Sequence, residues 1–167
     1  MGGRLGTMMA SGLGFLWAVL LLWGAARFVT LPVFTLMPTI MVSFLVPGLV
    51  LGAMVLRVAL RRLGDDEMLV GGVLHGLAAV DQKVLQNTVE QLVLALCIWP
   101  AAAVMLGDDG PGVIASLGVG FAVARLVFWF GYHRGGVLRV FGFAASFWPT
   151  VLVAVWALAR LAGAGSG

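Results

Sequence analysis

Charge is scarce in this sequence. Of 167 residues, 10% are Asp, Glu, Lys or Arg and 62% are hydrophobic, whereas a soluble domain carries roughly a quarter charged and about half apolar residues. Too little polar surface is left to cover a water-soluble globule. A soluble enzyme, a disordered tail and a nucleic-acid module are thereby excluded. The formal charge of +3 and a pI near 10.0 come from nine Arg and one Lys, dispersed among apolar stretches. In such a chain basic residues mainly set orientation across a bilayer. Cysteine occurs once, at Cys97, so no intrachain disulfide can form. Its apolar surroundings predict a small buried hydrophobe. No dinucleotide-binding glycine motif, phosphate loop or zinc-protease motif is present. His75 and His133 lack metal-site spacing; His133 is expected in a loop, and His75 is expected to pack or face water. There is no repeat of about 20–50 residues and no inverted copy of either half, which weakens a transporter reading. The 24 glycines show no collagen period and suit close helix packing in lipid.

What the sequence has is long apolar runs. A helix needs about 20 apolar residues to cross the hydrocarbon core. Residues 5–26 and 28–56 carry no charge, the second run being interrupted by Pro32, Pro38 and Pro47. Residues 68–106 are long but polar in the middle. Residues 111–130 hold one charge, Arg125, and 140–159 none. The expectation is an all-α integral membrane protein with five spanning helices, the second bent or starting late at its prolines. Residues 1–27 form an extra N-terminal helix, with a cleavable signal segment as the alternative. Residues 28–167 form a four-helix membrane domain.

Arg4, Arg57, Arg61, Arg62, Arg134 and Arg139 fall on one side of a five-helix topology, and Arg27, Arg160 and Asp108-Asp109 on the other. The positive-inside rule makes the first side cytoplasmic. Asp65, Asp66 and Glu67 are expected to cap the third helix, because carboxylates favour a helix N-terminus.

Polar residues gather in two places. The third run would reach about 58 Å if helical throughout. Counting about 20 residues back from Leu106 puts the membrane boundary near Gln86 or Asn87. Lys83, Gln86, Asn87 and Glu90 fall within about a 100° sector of that helix. Lys83 is the only lysine and Asn87 the only asparagine. The stripe reads equally as interhelical glue, with Asn and Glu bridging to an Arg, or as a site facing a cavity. The second cluster lies in residues 124–139. Tyr132 is the only tyrosine beside ten Phe and six Trp, as if chosen for its hydroxyl. Arg125, seven residues earlier, shares its helix face. Arg139 opens the last helix, where taken alone it reads as a snorkelling boundary arginine.

Together these clusters resemble the membrane-associated proteins in eicosanoid and glutathione metabolism, the MAPEG family, over roughly residues 45–160. Lys83-x-x-x-Asn87-x-x-Glu90 is similar to the family's Arg-x-x-x-Asn-x-x-Glu, and Gln86-Asn87-Thr88-Val89-Glu90 reads like the bacterial members. Ala124-Arg125-Leu126 through Gly131-Tyr132 to Arg139 is similar to its A-R-x-x-Y-x-x-G-Y segment with a trailing Arg. Arg57 and Arg61 fit the first family helix more loosely. The resemblance implies a homotrimer in the bacterial inner membrane. It implies glutathione as co-substrate, bound between subunits near the cytoplasmic side by Lys83, Asn87, Glu90, Tyr132, Arg134, Arg57 and Arg61. Arg139, with Tyr132, would stabilise the thiolate, and the membrane would deliver a small apolar electrophile. Three departures stand out. Lys83 replaces an Arg, Phe128 stands where the family often has a first Tyr, and the N-terminal helix is additional. The implied activity is that of a glutathione transferase or peroxidase. The alternatives are a non-catalytic relative that binds a lipid or anionic metabolite, and a small transporter or channel subunit.

Overall fold

Each apolar run folds as helix, because a lipid-exposed backbone must satisfy its own hydrogen bonds. The computed structural model describes residues 2–64 and 66–164. Its α-helices are α1 (Gly2–Phe28), α2 (Leu36–Ser43), α3 (Leu45–Leu63), α4 (Asp66–Leu69), α5 (Gly76–Met105), α6 (Gly110–Arg134) and α7 (Gly136–Ala164). Short 3-10 turns precede α2 and α6, and the described residues contain no strand. Five segments are long and apolar enough to cross a membrane, with α2 and α3 together forming the second.

That second segment starts late and breaks, as its prolines predict. Its first helical turn begins at Val33, after Pro32. The break at Ser43-Phe44 lies four residues before Pro47. Proline has no N–H to offer the carbonyl four residues back, and its ring crowds that carbonyl. The Ser43 carbonyl is freed by this and lies against Gly118 of α6, where an added methyl would overlap it. The break is therefore also a close helix contact.

The third span is shorter than its apolar run. Gly71 and Gly76 take positive φ values of 95° and 57°, which glycine alone adopts without strain. The chain turns there, and α5 starts at Gly76 with His75 at its N-cap position. The expected acidic cap is thus corrected. Asp66 and Glu67 lie in the first turn of α4, well before α5, and Asp65 lies outside the described residues.

Helix α6 is central. Val113, Ile114, Leu117 and Phe121 pack in one core with Trp99 of α5, Ile40 of α2, Leu22 of α1 and Val153 of α7. Helix α1 docks on α6 and α7 through small residues four apart, Ala10, Gly14 and Ala18, all buried. A Cβ at Gly14 would collide with Ala144. Phe15 meets Trp148 edge-on, with ring centroids 5.3 Å apart. A second, smaller core joins Met54, Val84 and Phe128 at the basic end of the bundle, beneath the polar residues.

Candidate functional site

Three polar constellations occupy the end of the bundle where α3, α5, α6 and α7 meet. The deepest centres on Arg125, which is fully buried. Its Nε donates to Thr88 Oγ1 at 3.1 Å, Nη1 to Ser146 Oγ at 3.0 Å, and Nη2 to Asn87 Oδ1 at 2.9 Å. The guanidinium also lies 3.9 Å from the centroid of the Phe128 ring. Its recorded partners are thus neutral, and they tie α5 and α7 to α6. An ionised side chain within a span is costly unless its donors are met; here three of the five guanidinium N–H groups, one on each nitrogen, have an acceptor, and the guanidinium face lies against Phe128. The interhelical-glue reading therefore holds for Asn87. It does not hold for Glu90, which is exposed and accepts from Gln86 Nε2 at 3.3 Å.

The second constellation is a knot around Asp81, which is 2% exposed. Arg57 Nε donates to Oδ2 at 3.0 Å, and Arg61 Nε to the same oxygen. Trp129 Nε1 donates to Oδ1 at 3.3 Å, and His133 Nε2 lies 2.9 Å from it. Two pairs of side chains, each one helical turn apart on α3 and α6, converge on one carboxylate of α5. His133 is thus a residue of the last turn of α6, not of a loop as expected from sequence. It stays helical because the turn ends only at Gly135, whose φ of 155° suits glycine.

The third constellation is a cavity of about 220 Å³ lined by Asn87, Phe128, Tyr132, Arg139, Val140 and Phe143. It gathers side chains from α5, α6 and α7. Tyr132 packs edge-on against Phe128 with ring centroids 5.1 Å apart. The Arg139 guanidinium sits 5.0 Å from the Tyr132 ring centroid, a cation–π distance. A glycine makes this approach possible: a Cβ on Gly131 would overlap the backbone of Leu138 and Arg139. The Asn87 oxygen is occupied by Arg125, so its amide N–H groups are the part left to face a ligand. Phe128, which lacks the hydroxyl of the family pattern, serves as the plate between Arg125 and Tyr132.

The residues singled out from sequence separate accordingly. Asn87, Tyr132 and Arg139 share the cavity. Lys83 and Glu90 lie on the exposed outer face of α5 and do not line it. Arg57 and Arg61 bind Asp81. Arg134 lines a different cavity of about 300 Å³, with Arg57, Trp129, Phe130 and His133. Sequence reasoning gives no site role to Asp81, Trp129, Thr88 or Ser146. The one available signal was the pair of four-residue spacings Arg57/Arg61 and Trp129/His133. Cys97 is another correction: it is exposed, because α5 turns the face holding Val93, Leu96 and Cys97 away from the bundle. Among the described residues no cluster of His, Cys, Asp and Glu could hold a metal ion.

The family model described as MAPEG fits residues 35–159, which starts after α1 and takes in all three constellations. Neither curated proteins nor solved structures returned a match. With most of its length fitted by that family model, and five apolar helices, the chain is an integral membrane protein that belongs to the MAPEG family.

Proposed function

We propose that the protein is a membrane-embedded glutathione transferase or peroxidase whose reacting thiol sits in the Asn87–Tyr132–Arg139 cavity. The observation that carries this reading is the meeting of these three side chains, from three helices, in one opening. A free thiol has a pKa of about 8.5, and a neighbouring cation favours the thiolate. Arginine is a side chain that stays cationic at neutral pH, so Arg139 offers a dependable counter-ion. The Tyr132 hydroxyl makes no recorded hydrogen bond among the described residues and can donate one to the sulfur. In transfer, the thiolate forms a bond to the electrophilic carbon and the displaced group leaves with its electron pair. In the peroxidase form, the thiolate sulfur bonds to the terminal oxygen of a hydroperoxide as the O–O bond breaks, and the alkoxide leaves as the alcohol after taking up a proton. The thiol of a second glutathione then attacks the resulting sulfenic acid, forming the disulfide and releasing water.

The cavity is smaller than the roughly 300–1,000 Å³ of ordinary ligand pockets. In this reading it holds the thiol end, and the rest of glutathione runs along the outer face of α5. There Lys83 meets a carboxylate and Glu90 the ammonium group. A second copy of the chain packed on that face would close the site, which is the role of the proposed homotrimer. The apolar electrophile arrives from lipid past Val140 and Phe143. The concentration of arginines at this end supports a cytoplasm-facing site, in keeping with the bacterial inner membrane that the family resemblance implies.

The test is calorimetric titration of detergent-purified protein with glutathione, followed by turnover of a general electrophile. Millimolar or tighter binding that weakens in Asn87→Ala and Glu90→Ala supports the reading. Absence of binding at millimolar glutathione overturns it. A competing reading is a non-catalytic relative, favoured by the missing hydroxyl at Phe128. It predicts stabilisation by glutathione without turnover.

A further inference from the structure

The cavity around Arg134 is separate from the one assigned to the thiol, and Arg57, Trp129, Phe130 and His133 complete its lining. Two guanidinium groups and an imidazole stand beside two aromatic rings, and among the described residues no carboxylate lines the opening. Asp81, behind it, is already saturated: Arg57 and Arg61 bring two positive charges to its single negative one. Arg57 keeps 45% of its side chain exposed and lies 5.5 Å above the Trp129 ring, which holds its guanidinium in place. Arg134 is exposed and has no ion pair among the described residues. Among the described residues lining this cavity, cationic charge is therefore in excess where the last turn of α6 ends its membrane-spanning segment. Phe130, 58% exposed, presents an apolar ring next to it.

We infer that this cavity binds the phosphate headgroup of an anionic phospholipid. A headgroup phosphate suits a basic pocket between spanning helices at the membrane surface, and each arginine there contributes about 1 kcal/mol of attraction. The aromatic rings suit the glycerol and upper acyl region, where such side chains are enriched. A soluble anion would gain nothing from Phe130, whereas a lipid tethered beside it does. This assignment stands independently of the proposed glutathione chemistry, since none of the residues in the thiol cavity takes part.

Native mass spectrometry of the full chain, titrated with phosphatidylglycerol or phosphatidylcholine, tests it. Phosphatidylglycerol is expected to bind preferentially, and Arg134→Gln to weaken that binding about fivefold, the equivalent of one interfacial arginine. Arg160→Gln, which alters an exposed pair with Asp109 at the other end of the bundle, is expected to leave the preference intact. Equal binding of the two lipids overturns the inference, as does an equal effect of the two variants. Competition arms separate the sources of phosphate or carboxylate. Displacement of the lipid by millimolar inorganic phosphate would assign the cavity to a soluble anion. Displacement by glutathione would return Arg134 and Arg57 to the glutathione site. Retention against both supports a lipid site.

Discussion

Replacing Asp81 by alanine is the sharpest structural perturbation available. It removes one buried acceptor from four donors on two other helices, Arg57 and Arg61 of α3 and Trp129 and His133 of α6. Breaking a fully buried charge pair costs about 3–5 kcal/mol. The Arg57 and Arg61 side chains are 45% and 27% exposed, so water recovers part of that loss. About 2–3 kcal/mol remains after this discount. For a chain of this size each kcal/mol shifts Tm by about 2–4 °C, giving a fall of roughly 5–10 °C. Thermal unfolding of the detergent-solubilised protein, followed by circular dichroism, measures it. Asp109→Ala is the matched control. It removes the exposed Arg160–Asp109 pair, 2.8 Å long, and an exposed pair is worth about 0–1 kcal/mol. Asp81→Asn keeps the volume but loses the charge and offers an N–H where an acceptor stood, so it is expected to reproduce most of the loss. A fall for Asp81→Ala no larger than that for Asp109→Ala would refute the reasoning. Full stability in Asp81→Asn would show that shape, not charge, matters there.

Three further predictions follow from particular contacts. Gly14→Val is expected to undock α1 from α7, because even a Cβ overlaps Ala144, while Gly12→Ala, with open space around it, is expected to be silent; protease accessibility of α1 distinguishes the two. Gly131→Ala is expected to push the start of α7 away from α6, since its Cβ would overlap the Arg139 backbone, and, on the proposed function, to abolish turnover of glutathione; turnover equal to that of the wild type would mean that the Tyr132–Arg139 approach is unimportant. Exposed Cys97 is expected to react with a membrane-permeant maleimide in unassembled subunits and to be shielded once copies pack on the outer face of α5; equal labelling in both states would place the subunit contact elsewhere.

Much of this arrangement was legible in the sequence. Apolar runs longer than about 20 residues identify spanning helices by length alone, and the break before Pro47 follows from the missing N–H of proline. Asn87, Tyr132 and Arg139 stood out because Asn and Tyr each occur once and because their spacing matches a family pattern. The grouping of the arginines was not legible. Arg57, Arg61, Arg125 and Arg134 look alike as cations in an apolar chain, yet they have three different surroundings. Which one is buried, and against what, depends on how α3, α5 and α6 are rotated about their axes. Asp81 shows the same limit. It reads as one of several polar residues near a boundary, and only packing makes it the shared acceptor. Cys97 was misjudged because apolar neighbours signify burial in water but not in lipid, where the outer face of a helix is apolar too.

In the proposed function, Arg139 holds glutathione as its thiolate. The direct measurement is the ultraviolet thiolate absorbance of bound glutathione, with proton release, in wild type and Arg139→Ala across pH. A thiolate signal at pH 7 is expected in the wild type. In the variant the signal should appear only as pH rises toward the ordinary thiol pKa of about 8.5, with turnover at pH 7 reduced at least about tenfold. An unchanged thiolate titration in Arg139→Ala, with glutathione still bound, would contradict it.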